Sequence, residues 1–229
     1  MPKLAIFDMD GTLVTFSIDA KGARADVIDH LVALGIPREI LQVKNSILDL
    51  KVLAKQHVAA TGEPKIDWEQ AGADVLAIID GYEQAAAEVS QPIDGVQDVL
   101  SELEQSRILM AVCTLNSTSN ATAIFRKFSL DRYFALVAGR DMVGDRRKPN
   151  PAHGLFILDK LGVQPADACM IGDHPSDMEM AGGMGIKGVG IVNERHPEAD
   201  FERFEGIRLV SDKDYSSLAS VIKEQLELA

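Results

Sequence analysis

The stretch AIFDMDGTLV, residues 5–14, places two carboxylates, Asp8 and Asp10, two positions apart at the end of an apolar run. Ionised together they repel each other, so the pair calls for a cation or for a proton held on one member. Gly11 follows, where a sharp turn brings Asp10 back over Asp8. Comparable residues stand after later apolar runs. ILMAVC, 108–113, leads into Thr114, Leu115 and Asn116; the loop after YFALVA, 133–138, carries Lys148 within RRKPNP; ACMIG, 168–172, leads into Asp173 and Asp177 within GDHPSD. If these runs are strands of one parallel sheet, all these groups converge on the rim at the carboxyl ends, where ligands bind.

Each residue type has a task in phosphoryl transfer. A carboxylate such as Asp8 can attack phosphorus and become an aspartyl phosphate. Magnesium prefers oxygen ligands, so it suits a site with Asp8 and Asp173, and it relieves their repulsion; Asp177 stands just behind. The hydroxyl of Thr114, the ammonium of Lys148 and the backbone amides of the Thr114, Leu115, Asn116 segment can spread the charge of the transferring group. Asp10 then serves as acid to the leaving oxygen and as base to the attacking water, a role that needs a pKa above the usual ~3.9 of a free Asp.

In this order these residues resemble the haloacid dehalogenase superfamily across the whole α/β part of the chain. DMDGT (8–12) looks like the first motif, Thr114 the second, Lys148 in KPNP the third and GDHPSD (172–177) the fourth. The resemblance implies that Asp8 is the nucleophile, that Asp10 is the acid/base and ligates magnesium through its backbone carbonyl, and that a helical cap is inserted after the first motif. Members that dehalogenate lack an acid/base Asp two residues after the nucleophile, so Asp10 favours phosphate chemistry. VTFSID (14–19) departs from the family by placing Phe16 where polar residues are common, and His174 stands where a small residue is common.

The elements that position these groups follow from periodicity. KLAIF (3–7), ILMAVC (108–113), YFALVA (133–138), ACMIG (168–172), IKGVGIV (186–192) and IRLV (207–210) read as strands, separated by helices over about 96–106, 118–128, 151–162, 176–182 and 214–227. Such alternation predicts an α/β fold with a doubly wound, Rossmann-like parallel sheet. Residues 16–91 read as all-helical: one helix with Ala23, Val27, Ile28, Leu31 and Leu34 on a face, a second carrying Ile40, Leu41, Ile47, Leu50, Leu53 and Ala54, and a third over 68–89 after Asp67. The expected organisation is a core of 1–15 and 92–229 with a helical cap over 16–91.

The bulk numbers narrow the partners. With Lys plus Arg at 23 against Asp plus Glu at 35, the net charge of −12 argues against nucleic acid and anionic membrane surfaces. Acidic residues come too early for a secretory signal, no apolar run is long enough to cross a bilayer, and Cys113 and Cys169 sit in apolar runs as buried free thiols, so a cytoplasmic protein is expected.

The leading expectation is a magnesium-dependent phosphatase for a small phosphorylated metabolite of phosphoglycolate or sugar-phosphate type, acting as monomer or homodimer. A sugar-phosphate mutase shares every core residue named, and a non-catalytic phosphoacceptor or binding module is the third alternative. Arg146, Arg147, His57, His153 and His196 read as solvated or structural, and His174 as either structural or close to the site. Trp68 reads as packing the cap. Lys21, Arg24, Lys44, Asn45 and Lys51 are the polar cap residues that could face a cleft.

Overall fold

The computed structural model describes residues 2–15, 17–42 and 47–228, the side chain of Leu48 excepted. Phe16, Lys44 and Asn45, singled out above, lie outside the described residues. The chain divides into two compact units, Met1–Phe16 with Ser90–Ala229, and Ser17–Val89.

The first unit is built on a six-stranded parallel sheet. Its strands are β1 (Leu4–Phe7), β2 (Leu109–Cys113), β3 (Leu136–Ala138), β4 (Ala168–Gly172), β5 (Lys187–Val192) and β6 (Arg208–Ser211), in the spatial order β3-β2-β1-β4-β5-β6. β1 is central: Leu4 pairs with Leu109 on one side and Ala168 on the other, and Phe7 with Val112 and Ile171. All four residues of β1 are buried, as a strand covered on both faces requires.

Alternation along the strands feeds two apolar layers. Leu4, Ile6, Ala111, Cys113 and Met170 cluster with Ile157 and Leu158 of α6 (Pro151–Leu161) and with Met178, Met180 and Met184 of α7 (Pro175–Met184). Phe7 points the other way. Its ring stands edge-on to Phe134 at 6.5 Å, and Phe134 lies 5.0 Å from Phe125 of α5 (Thr118–Lys127). The remaining helices of this unit, α4 (Val96–Gln105) and α8 (Leu218–Gln225), pack on each other.

The segments that leave and re-enter this unit are stitched together. Thr15 N donates to Gln91 O at 2.8 Å, Gln91 N to Thr15 Oγ1 at 3.1 Å and Ile93 N to Leu13 O at 3.1 Å.

The second unit is helical, with α1 (Ala20–Ala33), α2 (Ile47–Thr61) and α3 (Trp68–Val89). Val27, Ile28 and Leu31 of α1, Leu50 and Ala54 of α2, and Val75 and Ile79 of α3 form its core, with Trp68 packed against it. Asp19 caps α1 by accepting from Gly22 N.

The α/β class with a parallel sheet agrees with the sequence reading, and some element limits move. The strand expected from 133 begins only at Leu136, because Asp131–Tyr133 closes a 3-10 turn with Phe134 N bonded to Asp131 O. The last helix starts at Leu218 rather than 214, since Asp214 folds a side-chain turn onto Ser216 N. Ile40 and Leu41 stand outside α2: Ile40 belongs to a 3-10 turn that Leu41 closes. Among the described residues, no helix is long and apolar enough to cross a membrane.

Ile6 is fully buried between Ala111 and Met170. Ile6→Ala is expected to lower unfolding free energy by about 2–5 kcal/mol. Urea titration is the check; an unchanged midpoint would contradict the central place of β1.

Candidate active site

The carboxyl ends of β1, β2 and β4, with the loop before α6, bring the predicted residues together. Lys148 Nζ lies 2.7 Å from Asp8 Oδ1 and 2.7 Å from Asp177 Oδ1, and its side chain is only 2% exposed. Asp8 Oδ1 also accepts from Met9 N at 2.7 Å, which fixes its orientation, while Asp8 Oδ2 accepts no hydrogen bond among the described residues. Burial acts to lower the Lys148 pKa, but the Asp177 and Asp8 carboxylates override it and hold the ammonium above its ordinary value.

Asp8, Asp173 and Asp177 are all buried, and one oxygen from each lies within 4.8 Å of the others. Burial, then the charge of Asp8, raises the Asp173 pKa; burial pushes Asp177 up to about 7, with Lys148 opposing. A cluster of hard oxygen donors in which Asp173 and Asp177 resist ionisation fits a divalent cation such as magnesium. Asp177 gives Oδ1 to Lys148 and Oδ2 to the backbone N–H of His174, so it supports the cluster from behind. Asp8 and Asp173 are the direct donors this arrangement offers.

Asp10 is not one of the three carboxylates of that cluster, and its own accepts a hydrogen bond from Asn116 Nδ2. Asn116 Oδ1 accepts in turn from Asn120 Nδ2 at 2.8 Å, so this side chain orients the acid. Asn116 N donates to Thr114 Oγ1 at 3.1 Å, which leaves the Thr114 hydroxyl hydrogen available to an incoming oxyanion. The Leu115 carbonyl is held by Arg140 Nη1 at 2.8 Å, and the Leu115 N–H has no hydrogen bond among the described residues. Thr114 and Leu115 thus present a hydroxyl and an amide.

Several contributors were not visible in the sequence. Arg195 Nη2 and Asn193 Nδ2 both donate to Asp173 Oδ2, at 2.7 and 3.0 Å. The strand-end rule points to them, since they follow β5, but no motif marks them. His153 is fully buried, a satisfied core histidine. Its Nδ1 accepts from Lys148 N at 3.4 Å and its Nε2 meets Ala138 O at 3.1 Å, which assigns the proton to Nε2. His174 caps α7 through Nδ1 and Ser176 N, and its ring lies 4.6 Å edge-on from that of His196. Arg147, expected in solvent, has a side chain only 11% exposed, while Arg146 is exposed. Cys113 and Cys169 are buried free thiols, as expected.

With this geometry in hand, the comparisons with known proteins decide the family. Residues 2–185 match the haloacid dehalogenase-like hydrolases. The chain belongs to that family. It is 30% identical to phosphoglycolate phosphatase 1 of Pseudomonas aeruginosa, over 82% of this chain and 68% of that protein. It is 25% identical to a phosphoglycolate phosphatase of Mesorhizobium japonicum, over 89% of this chain and 92% of that one. A predicted phosphatase structure from Clostridium acetobutylicum shares the fold, with a TM-score of 0.67 at 20% identity, covering 98% and 99% of the two chains. The protein is therefore a hydrolase on the phosphatase side of the haloacid dehalogenase-like family.

Two outcomes test this geometry. Gly11 has φ +81°, and a Cβ there would stand 2.2 Å from Asp173 Oδ2. Gly11→Ala must displace Asp173, so turnover is expected to fall roughly 100-fold while circular dichroism stays native; activity within twofold of wild type would contradict it. Burial, then the Lys148 charge, lowers the His153 pKa from 6.5 to about 4. The unfolded chain therefore takes up its proton first, and this residue's contribution to stability is lost as pH falls from 6.5 toward 4, by at most about 3 kcal/mol. His174 has the same sign, and Asp173 and Asp177 the opposite one. His153→Gln should be less stable at pH 7.5 yet lose less than wild type between pH 6.5 and 4.5; parallel stability curves would refute the assignment.

Proposed function

We propose that the protein is a magnesium-dependent phosphatase that hydrolyses a small phosphorylated metabolite of phosphoglycolate or sugar-phosphate type through an aspartyl phosphate on Asp8. The carrying observation is the pair of differently held carboxylates on one rim. Asp8 is fixed by Lys148 and Met9 N, whereas Asp10 is oriented by Asn116 outside the acidic cluster. A pure displacement on carbon has no use for the second carboxyl; loss of an alkoxide from phosphorus does.

In this reading an Asp8 oxygen forms the new bond to phosphorus as the P–O bond to the leaving group breaks. Asp10 gives its proton to the departing oxygen. It then takes a proton from the water that attacks the aspartyl phosphate, which frees Asp8 and inorganic phosphate. Lys148, the Thr114 hydroxyl and the Leu115 N–H stabilise the phosphoryl oxygens. Magnesium, held by Asp8 and Asp173 with Asp177 behind them, would supply positive charge beside the transferring group.

The helical unit, Ser17–Val89, would act as the cap that selects the metabolite, with Arg24 and Lys51 as its candidate cations. The names of the relatives support the phosphoglycolate class. The net charge of −12 favours a small-molecule partner over nucleic acid or membrane, and the free thiols suit the cytoplasm.

The test is phosphate release from a panel of phosphorylated metabolites with magnesium, with EDTA, and with Asp8→Asn. Wild type should release phosphate without a bisphosphate activator, EDTA should stop it reversibly, and Asp8→Asn should lose at least about 1,000-fold with its fold intact. Isomerised sugar phosphate in place of free phosphate would identify a mutase. Substantial turnover by Asp8→Asn would refute the nucleophile.

A further inference from the structure

The two oxygens of Asp173 are treated differently. Oδ2 accepts from Arg195 Nη2 at 2.7 Å and from Asn193 Nδ2 at 3.0 Å, while Oδ1 accepts no hydrogen bond among the described residues. Both donors come from the loop after β5, and Asn193 organises that loop. Its Oδ1 accepts from Arg195 N at 2.8 Å and from His196 N at 2.9 Å. Against the backbone of Gly11, the Asp173 carboxylate and the Arg195 guanidinium are packed so closely that a Cβ would lie 2.2 Å from one and 2.9 Å from the other.

Among the described residues, the two cations bonded to the acidic cluster differ in exposure. Lys148, 2% exposed, bridges Asp8 and Asp177 and could leave only by stranding buried charges. The Arg195 side chain is 41% exposed, so a guanidinium displaced from Asp173 enters water rather than a buried, uncompensated place. The charges also matter. With all three carboxyls ionised, as a bound divalent cation keeps them, Asp8, Asp173 and Asp177 against Lys148 and Arg195 leave one negative charge, which a divalent cation overshoots. Without Arg195 the same cation would balance the cluster.

Building on the proposed magnesium site, we infer that Arg195 is its replaceable counter-cation. It neutralises Asp173 while no divalent cation is held and weakens the site's grip on one, whereas Asn193 is a positioning residue that keeps Asp173 aimed in both states. Magnesium uptake loosens the Arg195 contact, because guanidinium and metal repel each other across a shared carboxylate.

The experiment is isothermal titration calorimetry of the full chain with magnesium alone, at low and moderate salt, for wild type, Arg195→Met, Arg195→Lys and Asn193→Ala. Arg195→Met should bind magnesium about three- to tenfold tighter than wild type, with the gap narrowing as salt is added. Arg195→Lys should stay within about twofold of wild type, and Asn193→Ala should bind more weakly. In EDTA, Arg195→Met should melt at a lower temperature than wild type. A second readout leaves the fold of wild type untouched: in protein labelled with 15N-arginine, the Arg195 Nε–H resonance, assigned by its absence in Arg195→Lys, should move on adding magnesium. Equal or weaker binding by a folded Arg195→Met, or an Arg195 resonance unmoved at saturation, would overturn the inference. Wild type that takes up no magnesium would overturn the metal site itself, and this inference with it.

Discussion

A single buried ammonium holds the site together. Lys148 Nζ sits 2.7 Å from a carboxylate of β1's loop and 2.7 Å from one at the start of α7. Three distant stretches of chain are tied through that atom. Without it, Asp8 and Asp177 would face each other uncompensated in a buried place, an arrangement that costs several kcal/mol. The loop carrying Lys148 is therefore itself supported: His153, one turn into α6, receives the Lys148 N–H and anchors to Ala138 at the end of β3. A neutral histidine is the right choice there, because a second buried positive charge would compete with the lysine for the same acids.

Around that point the sheet order does the rest. β1 stands between β2 and β4, so the loops that follow these three strands are neighbours in space. The proposed nucleophile, oxyanion donors and cation site thus share one rim without any long excursion. Arg140 from the loop after β3 and Asn193 from the loop after β5 extend the same rim outward, and each holds a group of the proposed site in place: the Leu115 peptide in one case, the Asp173 carboxylate in the other.

What could be read from the sequence has a clear boundary. Asp8, Asp10, Thr114, Lys148 and Asp173 were legible because each follows an apolar run and the spacing of types matches a reaction. The strands themselves were legible because buried parallel strands are continuous apolar runs. Asn193 and Arg195 were hidden because their meaning lies in contacts with a strand end twenty residues earlier and with the turn at Gly11, and neither contact leaves a local pattern. The start of β3 was misplaced because Tyr133, a strand-favouring residue, is held by a 3-10 turn and buried there. Arg147 looked like a surface cation and is mostly covered, since a long side chain lies wherever packing leaves room for its stem.

The central place of β1 carries a consequence for how the chain is made. Leu4 must wait for Leu109 on one side and Ala168 on the other, so β1 is made before either of the strands it pairs with. Pairings so distant in sequence are slow to form, because a long loop must close before they reward it. The helical unit lies within that loop. Its core is drawn from α1, α2 and α3 with Ile36 and Leu41 between the first two, so all the chain it needs has emerged by residue 89. In the folded chain the long loop between β1 and β2 is closed at the junction where Thr15 N donates to Gln91 O. An insertion that looks like an interruption of the sheet thus separates β1 from β2 along the chain while its two ends, at Thr15 and Gln91, lie side by side.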